Sequence, residues 1–334
     1  MRGTRLLLAA PLVWLMLACS GNQHALDTRG PVAAKVATLF WVMAGVGSLI
    51  FVIVMALLWW GLIRKAPDGG ARPLRYVHSR NLVLLSGVVI PLVILFFFTL
   101  GSASVERDVG KPLPAGTLTI EVIGHQWWWE IHYLDWRGKR HATTANEMVL
   151  PVGRPVRLLL QSADVIHSFW VPQLAGKTDL IPGKTNVSWV QADKPGVFRG
   201  QCAEFCGLQH AHMGLMAEAV SPEMFEAWLA RQRAPAALLT DPALIRGQQV
   251  FLAAQCMMCH TIRGTSAVAQ LGPDLTHIGS RRMIAAATLP NTRGHLAAWI
   301  LKAQDIKPGN FMPNNHTLDG ESLNALLDYL QSLQ

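Results

Sequence analysis

Charge is scarce in this chain. Only 15% of its 334 residues are Asp, Glu, Lys or Arg, whereas 51% are hydrophobic. Mean hydropathy is positive, at +0.28, which points to a membrane protein. Acidic residues are the scarcer sign, 21 against 29 basic ones, and leave a formal charge of +8. Clustered, such an excess would suit nucleic acid. Here the basic residues are spread out or stand beside apolar runs, where they set topology, so no nucleic-acid partner is predicted. Cysteine is limited to positions 19, 202, 206, 256 and 259. Each has another role below, so no disulfide is predicted.

Beyond residue 30, two long apolar stretches lack charge altogether. Val36 to Ile63 is the first and Asn81 to Leu100 the second, with Pro91 inside it. Each has the roughly 20 apolar residues that cross a bilayer, and proline is tolerated there when neighbours satisfy the freed carbonyl. They predict a transmembrane hairpin over 34–104 with helices at about 36–63 and 81–100. Between them stand Arg64, Lys65, Arg72, Arg75 and Arg80 against Asp68 alone. A short basic loop stays cytoplasmic, which puts both chain ends outside. Residues 1–19 read as a signal sequence: Arg2 and Arg5, then a short apolar run ending Leu17-Ala18-Cys19. A small residue before Cys19 suggests a lipidated cysteine; ordinary cleavage or an uncleaved anchor is the alternative.

The chemistry concentrates between Gly200 and Met213. Cys202 and Cys206 stand four apart, His210 four further on and Met213 three after that; His167 stands upstream in Ile166-His167-Ser168-Phe169-Trp170. Thiolate, thioether and imidazole ligands together select copper. One Cys, two His and a weak axial Met make a blue-copper centre. A second Cys on the same loop allows two coppers bridged by both thiolates, each with one His, with Met213 and a backbone carbonyl as weak axial ligands. A disulfide or a Cys2His2 zinc site would use the same thiols, but neither accounts for Met213 or for the distant His167.

Around this stretch, residues 108–230 read as short β-runs separated by Pro-Gly breaks, such as Thr117 to Ile123, Val156 to Leu160 and Asn186 to Val190. Ser221-Pro222 opens a short closing helix. Residues 231–242 read as a flexible linker and 243–334 as a further domain. That domain carries Cys256-Met257-Met258-Cys259-His260, the Cys-x-x-Cys-His pattern of c-type haem attachment. Both thiols add to the haem and His260 is forced onto iron. Dithiol redox and zinc are the alternatives for the cysteine pair.

The Gly200–Met213 stretch resembles the CuA loop of subunit II of haem-copper cytochrome c oxidases. The match runs through His167, Cys202, Glu204, Cys206, His210 and Met213, and includes Gly124-His125-Gln126-Trp127, Lys177-Thr178-Asp179 and Ile181-Pro182-Gly183. The whole chain resembles subunit II of a caa-type oxidase with a fused cytochrome c. The resemblance implies a multidomain membrane protein: a two-helix transmembrane hairpin, an all-β cupredoxin-like Greek-key domain and an all-α class I cytochrome c domain. It implies that Glu204 gives its carbonyl to copper and its side chain to a magnesium facing the catalytic subunit, and that electrons reach CuA over Trp127. In the haem domain Gly272-Pro273 resembles the family's segment in which Pro273 orients the histidine, and Asn310-Phe311-Met312-Pro313 the distal loop, with Met312 as sixth iron ligand. His277, His295 and His316 are the rival ligands.

The implied partners are oxidase subunit I and the other oxidase subunits, membrane lipid, and an electron donor that is a soluble cytochrome c or a quinol-oxidising complex. The implied location is the bacterial inner membrane, with the copper and haem domains on the periplasmic side. Neither apolar run contains a histidine, so oxygen reduction and proton pumping would belong to the partner. The family's second helix opens with a Glu and a Trp; Leu84 and Gly87 stand there instead, so no proton-channel role is transferred. The same architecture would also serve a CuA-containing nitric oxide reductase, or a membrane-tethered electron-transfer protein acting alone.

Overall fold

The computed structural model describes residues 21, 23–63 and 76–334, and of 76–79 the backbone only. The expected leader with Cys19, and Arg64, Lys65, Arg72 and Arg75 of the basic loop, lie outside the described residues. The chain divides into two compact units: residues 34–112, and the remainder.

The first unit is the helical pair. Helix α1 spans Pro31–Ile63, five residues longer at its start than the uncharged run. Proline suits a first helical turn because its missing N–H has no helical partner there. The second run forms α2, Tyr76–Leu84, a π-turn at Leu85–Val89, and α3, Ile90–Val109. Pro91 explains the interruption. It cannot donate to the carbonyl of Gly87, and its ring crowds that turn. The backbone slips by one residue, so that Ile90 N–H bonds to Leu85 O instead. Helical structure also continues past Leu100 to Val109, because charged Glu106, Arg107 and Asp108 are no barrier to a helix, only to its burial in lipid. Lys35 near the start of α1 pairs with Asp108 near the end of α3 at 2.6 Å. Both apolar helices are long enough to cross a membrane.

In the second unit, residues 119–220 form a β-sandwich. Its strands are β1 Thr119–His125, β2 Trp128–Leu134, β3 Arg140–Ala145, β4 Glu147–Pro151, β5 Val156–Ser162, β6 His167–Trp170, β7 Thr178–Leu180, β8 Asn186–Val190, β9 Gly196–Cys202 and β10 Gly214–Val220. One sheet has the order β3-β2-β1-β5-β8 and the other β4-β10-β9-β6-β7. Alternate residues of β1, Ile120 and Val122, point inward, as period-two patterning requires. The chain changes sheets at Asn146, which takes a left-handed conformation (φ 59°). An asparagine tolerates that region, and its Oδ1 accepts the Trp129 N–H at 2.8 Å. Buried Tyr133 has its hydroxyl fully used, donating to Val149 O and accepting from Val149 N. Its ring meets Trp228 of α4, Pro222–Arg233, which closes the sandwich.

The haem-type domain is helical. Its helices are α5 Pro242–Ala253, α6 Arg293–Leu301, α7 Ala303–Ile306 and α8 Gly320–Ser332. Asp241 and Asp319 cap α5 and α8 by accepting N–H groups of the first turn. The two helices pack with Phe251 edge-on to Tyr329. A short ribbon, β11 Met283–Ile284 with β12 Leu289–Pro290, is closed by Ala285, Ala286 and Ala287, all left-handed with φ of 53–56°.

The segment expected to be a flexible linker is fastened. Helix α4 runs on through Arg233, because nothing in Arg231-Gln232-Arg233 breaks a helix. Beyond it, Ala236 N–H bonds to Arg263 O, Arg263 donates to the carbonyls of Gln232 and Arg233, and buried His277 reaches Ala234 O at 3.1 Å.

Candidate metal and haem centres

The copper-type residues converge from three elements. His167 opens β6, Cys202 ends β9, and the loop to β10 carries Glu204, Cys206, His210 and Met213. Hydrogen bonds from Ala203 N to Ser168 O and from Cys202 N to Met213 O tie this loop down at both ends. The two Sγ atoms lie 3.8 Å apart. His167 Nδ1 is 3.9 Å from Cys202 Sγ, and Glu204 O is 3.2 Å from it. On the other side, His210 Nδ1 is 3.6 Å and Met213 Sδ 3.8 Å from Cys206 Sγ. Each sulfur thus has one imidazole beside it, with a carbonyl next to Cys202 and a thioether next to Cys206. Glu204 itself is exposed.

The surroundings fit a cation. His167 donates from Nε2 to Asp164 Oδ1 at 2.8 Å, which fixes the tautomer and leaves Nδ1 free as a ligand. A Cβ at Gly124 would stand 2.7 Å from the His167 ring, so glycine there makes room for it. The two thiols lie close enough to shift each other in opposite directions. The contact with Cys206 holds the Cys202 thiol below its ordinary value, against the opposing effect of burial, with His167 adding to the fall. For the same reason Cys206 is pushed up. A bound cation would favour the thiolate form of both, and its binding would release protons.

Trp127 and Trp129 are buried, and Trp128 stacks on His125 with ring centroids 4.4 Å apart. Trp127 Nε1 donates to Cys206 O at 2.9 Å, and Gln126 Nε2 to the same oxygen at 2.8 Å. Trp129 Nε1 reaches Met213 O at 3.4 Å, so two of the three adjacent tryptophans touch the backbone of the metal loop.

In the helical domain His260 Nδ1 donates to Pro273 O at 2.8 Å, which leaves Nε2 with its lone pair. A Cβ on Gly272 would sit 2.7 Å from the His260 ring. Burial holds the imidazole below its ordinary value, hence neutral and ligand-ready. Cys256 and Cys259 are unpaired and half-buried. Exposed Met258 between them and exposed Leu271 beside Gly272 supply apolar surface for a porphyrin. Met312 is half-buried, its loop pinned by Gln304 donating to the carbonyls of Asn310 and Met312. Of the rival ligands, His277 has each ring nitrogen against a carbonyl oxygen, of Gln334 and of Ala234. His295 bonds Thr292 at the start of α6, and His316 is exposed.

The two centres belong to domains in contact. Arg282 grips Glu218 with two nitrogens, at 2.6 and 3.0 Å, while Arg282 N and Met283 N donate to Glu147. Gly214 N donates to Ala286 O and Arg199 to Ala287 O. Left-handed residues cost roughly 1–2 kcal/mol each; here the turn aims successive carbonyls at the sandwich, and the bonds it receives there offset the strain. Reading the sequence missed Arg282, Lys307 and Phe311, because no local pattern marks a contact between residues so far apart in the chain, and it missed Asp164, which stands only three residues before His167 but reads as an ordinary turn residue.

Fold and centres together define a membrane-anchored electron-transfer protein with a copper-type sandwich and a cytochrome c domain outside the membrane. The family model described as cytochrome c oxidase subunit II, periplasmic domain, matches residues 137–220, and that of cytochrome c matches 244–334. Cytochrome c oxidase subunit 2 of Alkalihalophilus pseudofirmus is 35% identical over 338 residues, covering 97% of this chain and 96% of that protein. The Bacillus subtilis protein of the same name is 26% identical, with 99% and 98% covered. Among solved structures, the periplasmic domain of subunit II of the Bradyrhizobium japonicum cytochrome oxidase is 36% identical and covers 36% of this chain and 97% of its own, with a TM-score of 0.34. The chain belongs to the cytochrome c oxidase subunit 2 family, part of the haem-copper oxidases.

Proposed function

We propose that this chain is the electron-input subunit of a proton-pumping terminal oxidase. Cys256 and Cys259 would hold haem c, with His260 and Met312 on its iron. His167, Cys202, the Glu204 carbonyl, Cys206, His210 and Met213 would hold the dinuclear copper. The Glu204 side chain is free to meet a magnesium at the face toward subunit I. Donor electrons, from a soluble cytochrome c or a quinol-oxidising complex, would arrive at the haem, cross to the copper pair over Trp127, and leave to the oxygen-reducing subunit. The hairpin would sit in the bacterial inner membrane with both electron-carrying domains on the periplasmic side.

The observation that carries this reading is the symmetric arrangement of ligands around two sulfurs 3.8 Å apart. It is a donor set for two soft metals sharing one electron, and neither half resembles a closed zinc site. His167 is held by Asp164, and the loop by strand bonds, so little has to move when charge arrives.

The experiment is single-electron reduction of the haem in the purified oxidase, following the near-infrared band of the copper pair. Reduction of the pair should be first-order, independent of protein concentration and only weakly salt-dependent. Concentration-dependent kinetics would show electrons arriving between molecules and defeat the reading. A second variant tests the distal ligand. Met312→Ala should leave the haem covalently attached through acid-acetone extraction while lowering its potential, since a thioether ligand raises it. An unchanged ligand-field spectrum would exclude Met312.

A further inference from the structure

The haem-domain loop that carries Met312 also carries two residues no copper or haem site requires. Phe311 lies with its ring nearly parallel to that of Trp127, at 12° and 6.1 Å between centroids. Trp127 is 7% exposed, whereas Phe311 remains 76% exposed. Four residues before it, Lys307 is only 3% exposed, unusual for a lysine. Its ammonium donates to Trp127 O at 3.1 Å and His212 O at 2.9 Å on the sandwich, and lies 3.4 Å from Ala285 O of its own domain. Between them, Pro308 O accepts from Gln209 Nε2 at 2.7 Å and Leu208 packs on Gly309. Residues 307–311 are thus fastened to the metal loop at successive points.

We propose that Phe311 is the electron bridge between the Met312 side of the haem and Trp127, with Lys307 as the residue that positions it. This rests on the reading above, that electrons pass from haem c to the copper pair. Phe311 is covalently next to Met312. Its ring lies over Trp127, whose indole N–H donates to the carbonyl of Cys206. The route from the proposed iron ligand to the proposed bridging thiolate therefore crosses one through-space gap, ring to ring, and one hydrogen bond; the rest is covalent. Electronic coupling falls most steeply across through-space gaps, so the ring contact controls the rate. One electron leaves ferrous haem, which becomes ferric, and arrives at the oxidised copper pair. Phe311 and Trp127 supply orbitals and are not themselves oxidised; no bond forms or breaks.

The position of Lys307 explains why the contact persists. Phe311 has little area buried, and an offset aromatic pair contributes only about 0.5–1.5 kcal/mol. A buried ammonium with charge-assisted bonds to carbonyls of both domains holds the loop far more firmly. Removing it would take a donor from each of those carbonyls.

The test uses the full oxidase and two variants, Phe311→Leu and Phe311→Tyr. Each is read for the haem-to-copper rate after single-electron reduction, for haem midpoint potential, and for amide exchange at Gly214, whose N–H bonds across to Ala286. Phe311→Leu should slow transfer on the order of tenfold or more, as lost positioning of a reacting pair does. Phe311→Tyr, which keeps the ring, should restore most of the rate. Potential and Gly214 protection should stay unchanged in both. A wild-type rate in Phe311→Leu would overturn the proposal. So would a slowed rate accompanied by loss of Gly214 protection, because Phe311 would then act in docking alone. If the unmodified chain passes no electron from haem to copper, the function reading itself fails, and the bridge with it.

Discussion

Replacing Cys202 and Cys206 together by serine is expected to abolish copper binding in the sandwich, not merely to weaken it. Both sulfurs are buried, and each lies beside one of the two imidazoles. A serine hydroxyl is a hard, neutral donor at working pH and cannot replace a bridging thiolate for a soft metal. Either single change should also destroy the dinuclear centre, since one thiolate cannot bridge twice. The neighbours should grade accordingly. His210→Ala removes one copper's imidazole and perturbs that copper strongly. Met213→Leu keeps the volume and loses a weak axial bond, so copper stays and the potential shifts. The fold itself should survive, because a buried hydroxyl left without a partner costs about 1–3 kcal/mol. Copper per chain and the near-infrared band are the readouts, with circular dichroism as the control for folding. Two coppers retained in the double variant would refute the site.

That cluster was legible in the sequence because all its residues but His167 are local. Cys202 to Met213 lie on one loop, and the identities of sulfur and imidazole carry the chemistry whatever the fold around them. The Cys256–His260 pattern is legible for the same reason. What could not be read is what the fold brings together from afar. Lys307 meets Trp127 across 180 positions of chain, and neither residue's neighbours announce the other. Asp164 looks like any turn residue until β6 swings His167 onto it. Helix bounds were misjudged where hydropathy stood in for helicity: α1 begins in Pro31 and α3 continues through charged residues, because a helix needs backbone bonds, not apolar side chains. The π-turn at Leu85–Val89 was foreshadowed by Pro91, but a proline in a membrane helix allows a kink, a water or a π-turn alike. The linker was misread for a subtler reason. Alanine and proline composition describes how a free chain would behave, and this one is held by Arg263 and His277 of the domain it leads to.

Truncation after about Arg233 should leave the copper centre assembled and cut turnover severely, with partial rescue by added soluble cytochrome c. The sandwich has its own core, closed by Tyr133, Phe225 and Trp228, so it should fold without the haem domain. The loss of turnover follows from concentration. A short tether alone gives an effective concentration of order mM, and the fixed junction at Arg282, Lys307 and Phe311 goes further by preselecting one orientation. A free donor at micromolar level meets the copper face about a thousandfold less often than one held at that effective concentration. The rescue follows from what truncation uncovers. Trp127 loses Phe311 and Lys307 from above it. Glu218 loses Arg282, and Glu147 loses the Arg282 and Met283 amides, so two carboxylates become available to a basic donor. Association with those carboxylates should be steered by charge, so the rescued turnover should fall as salt rises, whereas turnover of the intact chain should change little. Steady-state oxygen uptake against ionic strength, with and without added cytochrome c, separates the two. A truncated oxidase that turned over as fast as the full chain with the native reductant would show that electrons do not need the haem domain, and that its docking on Trp127 serves something else.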